Sequence, residues 1–152
     1  MHTDHQGLIV LDEDACRTLL HTCRLGRIAL TDGALPMILP VTFACLDDDL
    51  VFRTGPGALE RAAVARQVVC FEADWLDEQI TAGWSVSAIG QLRAVTDPAL
   101  AERCRAAALP TWSNAAASGS APDVSAFVAL TPELFSGRRR AAPAGSGDRT
   151  FA

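Results

Sequence analysis

The sequence predicts a mainly β domain, a small closed or split barrel with peripheral helices. Three observations carry this. Short apolar segments with turn signals between them outnumber the helical patterns. No strand–helix–strand repeat of the kind that builds a parallel sheet is present. The 152 residues, 49% of them hydrophobic, suit one domain with a core large enough to fold without staples.

Residues 1–10 carry little pattern and read as a loose lead-in to a domain spanning 11–140. Asp12-Glu13-Asp14 opens a helix, because a capping Asp and acids in the first turn suit the helix dipole. Cys16, Leu19, Leu20 and Cys23 then form one apolar stripe. Leu25 to Thr31 reads as a strand and Asp32-Gly33 as a hairpin turn. The segment from Leu35 to Leu46 is a long strand whose odd positions are all apolar. Its Pro36 and Pro40 cannot donate to a ladder, which places them at an edge, a bulge or a split in the sheet. Asp47-Asp48-Asp49 is a turn without the alternating ligand spacing of a calcium loop, and Leu50 to Thr54 is the next strand. Gly55-Pro56-Gly57 breaks the chain before a short helix from Ala58 to Arg66. Gln67 to Ala73 is an apolar strand, Asp74 to Gly83 a polar loop, and Trp84 to Thr96 a strand interrupted by Gly90. Asp97-Pro98 starts a helix that runs to about Ala108. A flexible Ser/Ala/Gly/Pro-rich loop is expected over 109–123, and a last strand over Val124 to Leu130. A turn or short helix at Thr131-Pro132-Glu133 and a disordered tail over 141–152 complete the chain.

Composition removes several functions. All 13 basic residues are Arg, and the chain has neither Lys nor Tyr. Schiff-base, P-loop and lysine general-base chemistry are excluded, as is a tyrosine acid. A net charge of −5 gives no basic footprint for nucleic acid. The five Cys include no CxxC pair, no signal-like segment opens the chain, and no apolar run approaches a membrane span; a reducing cytoplasm fits best. The three His, at positions 2, 5 and 21, lack metal-site spacing, so no metal is expected. His21 reads as a solvated or capping residue. Glu72 and Asp74 share a strand face and read as partners of an Arg rather than as an acid/base pair. No residue is assigned as catalytic.

The most informative stretch runs from Val51 to Ala58. A strand ends in Arg53 and Thr54, and a Gly-rich turn leads into a helix start. Backbone N–H groups there, with Arg53, suit an anion such as phosphate, although strand–Gly–helix turns also occur without one.

Taken in order, six segments resemble the pyridoxamine 5′-phosphate oxidase-like flavin-binding split barrels. They are Leu25-Gly26-Arg27-Ile28-Ala29, Leu39-Pro40-Val41-Thr42-Phe43, Val51-Phe52-Arg53-Thr54 with Gly57, Val69 to Asp74, Gly83-Trp84-Ser85-Val86 with Gly90, and Ser136-Gly137-Arg138-Arg139. The resemblance covers roughly residues 10 to 140. It implies a six-stranded split β-barrel of the FMN-binding type, a homodimer with flavin mononucleotide (FMN) in clefts between subunits, and a small-molecule substrate for hydride or electron transfer. Pro40, Val41 and Thr42 would lie along the isoalloxazine. Arg53 and Thr54 would reach the flavin and its ribityl phosphate, and Gly57 and Ala58 the phosphate. Trp84 and Ser85 would close the cleft from the partner chain, and Arg138 is a further cation. Many relatives read Gly-Ser/Thr-Lys where this chain reads Gly57-Ala58-Leu59, so a hydroxyl and a cation are missing. Arg61 would replace that cation only by turning inward. Deazaflavin F420, haem or no cofactor are the alternatives, with a non-catalytic binding or sensing role.

Overall fold

The computed structural model describes residues 2–110 and 126–140; the expected tail over 141–152, and most of the loop over 109–123, lie outside them. Its elements are β1 (Ile9–Leu11), α1 (Glu13–Leu20), β2 (Leu25–Asp32), β3 (Leu35–Leu46), β4 (Asp49–Thr54), α2 (Ala58–Val64), β5 (Val68–Leu76), β6 (Gly83–Ala94), α3 (Pro98–Ala106) and β7 (Ala126–Arg140). Every strand pairing is antiparallel, in the order β1-β7-β4-β3-β2-β5-β6, and β6 also pairs β7. Six strands therefore close a ring, the expected barrel, and β1 adds a seventh strand outside it.

Alternation builds the wall. Gly26, Ile28 and Leu30 of β2 are buried, while Leu25, Arg27, Ala29 and Thr31 are exposed, the period of two that a half-buried strand requires. Phe43, Phe52 and Phe71 meet in the lumen, with the Phe71 ring centroid 4.7 Å from that of Phe43 and 5.5 Å from that of Phe52. Leu59, Ala62 and Ala63 of α2 enter the same core. A second cluster outside the barrel joins Val51 and Ala129 to Cys104 and Leu109. No helix among the described residues is long and apolar enough to cross a membrane.

The helix starts follow the sequence. The Asp12 carboxylate caps α1 by accepting from the Ala15 N–H at 2.8 Å, and Asp97 caps α3 by accepting from Leu100 at 2.9 Å. His21 is the exposed C-cap of α1.

Five expectations need correction. The lead-in is held: Thr3 bridges Ile9, β1 pairs β7 at Gly137–Arg139, and the Asp4 carboxylate accepts from Arg138 Nε at 3.0 Å. Its apolar residues are too few to show a pattern, and its partner is distant in sequence. The hairpin turn centres on Gly33 and Ala34, both at positive φ as a type I′ turn demands, because Asp32 still pairs with Leu35. β5 continues through Asp74, Trp75 and Leu76, since β6 pairs with it as far as Gly83 and overrides the local polarity. β6 ends at Ala94, short of Thr96. Finally, Thr131-Pro132-Glu133 is neither helix nor turn but part of β7. The register shifts between Ile89 and Gly90, which face Leu134 and Pro132, so Glu133 is the extra residue of a bulge. The close approach there leaves no room for a side chain at Gly90, where a Cβ would overlap the Thr131 carbonyl oxygen.

Candidate functional site

The strand prolines mark where the barrel opens. β3 pairs β2 along Leu35–Thr42 but pairs β4 only from Phe43 to Leu46. Phe43 donates its N–H toward β2, to the Arg24 carbonyl at 3.0 Å. Backbone direction alternates along a strand, so the nitrogens of Pro36 and Pro40 face the other way, to the edge that β4 has left. Proline there loses no ladder bond. Continuing the β3–β4 register would set Thr42 opposite Arg53 and Val41 opposite Thr54. The ladder instead stops at Phe43 and Phe52, and the two strands part at those four residues.

Around this split the structure brings together Pro40, Val41, Thr42, Arg53, Thr54, Gly57 and Ala58. Pro40 is exposed, while Thr42 and Arg53 are half-buried on the outer face. The Val41 side chain is buried in the core, so only its backbone faces the opening. The Thr42 hydroxyl donates to the Pro110 carbonyl at 2.5 Å and keeps its lone pairs for accepting. Thr54 Oγ1 donates to the Gly55 carbonyl at 2.9 Å, which fixes the start of the turn. Gly57 is extended (φ 164°), a conformation open to any residue. Among the described residues, and apart from its own chain neighbours, neither Gly55 nor Gly57 has a heavy atom within 4 Å of where a Cβ would stand. The turn thus borders open space beside Arg53. That geometry fits a flavin phosphate held by one guanidinium, one threonine and the turn.

Among the described residues, neither Leu59 nor Arg61 brings a second cation to this place. Leu59 is 6% exposed, packed into the barrel core. Arg61 turns away and makes a two-pronged ion pair with Asp32, at 2.7 and 3.1 Å. Asp32 is held below the usual carboxylate range by that guanidinium, despite a smaller opposing effect of desolvation.

The other three candidates lie elsewhere. Ser85 pairs Arg138, and Trp84 pairs Arg139, across the β6–β7 ladder. In the six-strand ring β6 stands three strands from β3 in either direction. Ser85 and Thr42 both face outward, on opposite walls, so one ligand cannot touch both within one chain. Arg138 is engaged: besides Asp4, it donates to the Gly137 carbonyl at 2.9 Å. Burial opposes ionisation of Asp4. The N–H groups of Leu8 and Gln6 and the Arg138 guanidinium outweigh it and hold the carboxyl below its ordinary range. Sequence reading did not find Asp4 as the partner of Arg138. A lone acid ahead of the first helix carries no signal for a residue so far along the chain.

Glu72 and Asp74 behave as structural groups, with Arg27 Nη1 3.3 Å from Glu72 and 3.4 Å from Asp74. Desolvation first, then the charge of Asp74, pushes the Glu72 carboxyl up.

The cysteines are free thiols. Burial pushes Cys23 and Cys45 up to about 11, with Asp74 and Glu72 adding to the effect at Cys23 and the neighbouring Cys23 thiol adding to it at Cys45. Cys16, Cys70 and Cys104 are raised by burial as well. A thiol whose pKa is raised in the native state destabilises that state once the unfolded chain begins to ionise. Stability is therefore fully present below about pH 9 and lost as pH climbs from there toward about 11. The native protein should react slowly with iodoacetamide at neutral pH and rapidly once unfolded. Prompt labelling of a native thiol at pH 7 contradicts this.

A model of the family described as pyridoxamine 5′-phosphate oxidase matches residues 12–139. The uncharacterised protein Rv0080 of Mycobacterium tuberculosis is 34% identical over 137 residues, 87% of this chain and 85% of that protein. The FAD binding protein of Mycobacterium smegmatis superposes with a TM-score of 0.69 at 30% identity, over 86% of this chain and 98% of that one. A putative pyridoxamine 5′-phosphate oxidase from Corynebacterium glutamicum shares the fold, with a TM-score of 0.71 at 20% identity over 90% of this chain and 95% of that one.

Proposed function

Because the chain belongs to the pyridoxamine 5′-phosphate oxidase family, we propose that it binds a flavin between two copies of itself and acts as an oxidoreductase on a small molecule. The observation that supports this most is the division of the candidate residues between opposite walls of the barrel. Pro40, Thr42, Arg53 and the Gly55–Gly57 turn form one half-site, and Trp84 with Ser85 the other. A two-fold dimer would join the first half of one copy to the second half of its partner and build two equal sites.

Bound there, a flavin supplies the hydride or electron transfer. The residues of the chain bind and orient it. Arg53 offers a charge-assisted bond to the phosphate, and the turn leaves space for it. The parted β3 edge offers backbone groups at Val41 and Thr42 to the ring system, and Trp84 of the partner subunit shields the cleft from water. FMN and FAD share the ring and the first phosphate, so this half-site suits either. FMN is the smaller group the cradle has to hold, and the name of the M. smegmatis relative makes FAD its competitor.

A second reading is favoured by the single cation. With Leu59 buried and Arg61 turned to Asp32, the cleft would hold a flavin, F420 or haem loosely and serve for binding or sensing without turnover. Titration of the purified protein with FMN, FAD, F420 and haem, read by visible absorbance and thermal shift, separates the readings. A ligand that binds only the folded state must raise Tm. Tight flavin binding with reduction by a nicotinamide donor supports the oxidoreductase. Binding without turnover supports the sensor, and no shift with any ligand removes both.

A further inference from the structure

One arc of the barrel, β3-β2-β5-β6, runs from the wall of the first half-site to the wall of the second. The ladders align its outward side chains in rows. One row is apolar: Ile38 pairs Ala29, Ala29 pairs Cys70, and Cys70 pairs Ile89. The next row toward the split is Pro40, Arg27, Glu72 and Ser87. Beyond it Thr42 pairs Leu25, and Asp74 pairs Ser85. Ile38 is 70% exposed, and Ala29 and Leu25 are open to solvent as well. Among the described residues no helix covers these rows. α1 and α2 bury their apolar residues inside the barrel, and α3 buries Cys104 against Val51 and Ala129.

Each row divides into two halves, one from β3 and β2 and one from β5 and β6. A two-fold axis running along the strands between β2 and β5 exchanges the halves and keeps every row in register. It sets Ala29 against the partner's Cys70, small against small, so the barrels can approach closely there. It sets Ile38 toward the partner's Ile89. It also sets Arg27 against the partner's Glu72, twice, once in each direction. The charges within one copy leave room for this. Arg27 reaches Glu72 and Asp74 through Nη1 alone, at 3.3 and 3.4 Å, which leaves its Nε and Nη2 donors for another carboxylate. Glu72 is disfavoured as an anion by desolvation, a cost that a second guanidinium offsets. Asp74 falls opposite the partner's Leu25 and is exposed toward the rim. Two curved barrels touching along β2 and β5 diverge on both flanks. In each wedge Thr42 of one copy faces the partner's Ser85.

We propose that this arc is the docking face for a second copy of the chain, and that a ring of Arg27 and Glu72 from both subunits sets the register of assembly. It rests on the two-copy reading above and names the contact that builds the site.

Sedimentation velocity of the full chain without flavin measures the assembly directly. The wild type should be a dimer. It should loosen several-fold when NaCl rises from about 50 mM to about 1 M, where the Debye length falls to about 3 Å. Arg27→Glu and Glu72→Arg should each keep the wild-type circular dichroism and be monomeric, because like charges then meet across the axis. Mixed together, the two variants should form a dimer, because both pairs across the axis are then of opposite sign. An Arg27–Glu72 pair that acts only within one chain predicts no such rescue, since each variant keeps its like charges side by side. Ala29→Gln, which adds bulk and no charge at the closest approach, should be monomeric too. A monomeric wild type, a dimer that survives any of the three substitutions, or charge variants that mixing does not rescue overturns the proposal. A surviving dimer that still binds flavin would leave the two-copy flavin reading in place. Rescue by mixing in a protein that binds no flavin would leave the docking face in place and remove the flavin.

Discussion

Replacing Phe71 by Ala should lower the unfolding free energy by about 3–5 kcal/mol, the largest stability effect expected of any single truncation in this barrel. Phe71 is fully buried and touches the rings of both Phe43 and Phe52, one edge-on at 62° and the other tilted at 48°. Its ring also lies against Gly26, where even a Cβ would overlap Cζ. The neighbours belong to three different strands held in register by their ladders, so they cannot close over the space left behind. A domain of ordinary stability, about 5–15 kcal/mol, would lose a large part of it. Urea titration followed by tryptophan fluorescence measures the change. A loss below about 1 kcal/mol would mean that the lumen is not packed as described.

Arg53→Ala should cost the flavin about ten- to hundred-fold in affinity, the effect of removing one charge-assisted contact that neither Leu59 nor Arg61 replaces. The absence of a substitute follows from Leu59, which is buried, and from Arg61, which is committed to Asp32. Trp84→Ala should also release flavin, though Trp84 stands on the opposite wall of its own chain. The two defects should complement. A mixed dimer of Arg53→Ala and Trp84→Ala subunits contains one site with both residues intact, so unfolding and refolding the two variants together should restore flavin to part of the sites. Each variant alone should stay depleted. If mixing restores nothing, the two residues do not meet across a subunit boundary.

Most of the barrel was legible in the sequence because its walls obey period two and its turns use Asp, Gly and Pro. β3 was readable from Leu35 to Leu46, including the significance of its two prolines, since a missing N–H is visible in the sequence itself. What escaped was decided by pairing between distant segments. β5 continues through polar Asp74 because β6 lies beside it, and β7 continues through Pro132 because a bulge absorbs Glu133. β1 forms because Gly137 to Arg139 offers an edge to a segment with no strong preference of its own. The candidate site was legible in its residue types but not in its placement. The Arg53–Gly57 turn could be read as strand, glycine turn and helix start. That Trp84 and Ser85 stand on the opposite wall, with Ser85 facing outward and Trp84 packed against the barrel core, and that Arg138 is engaged by Asp4, depended on the ring order of the strands and on a contact between residues far apart in the sequence.

The central claim, a flavin held between two copies of this barrel, is tested most directly by size-exclusion chromatography of the FMN-equilibrated protein with absorbance followed at both protein and flavin wavelengths. The predicted result is one peak at the size of two chains, with flavin coeluting at one equivalent per chain. A single-chain peak that carries flavin, or a dimer peak that carries none after equilibration with either FMN or FAD, would contradict it.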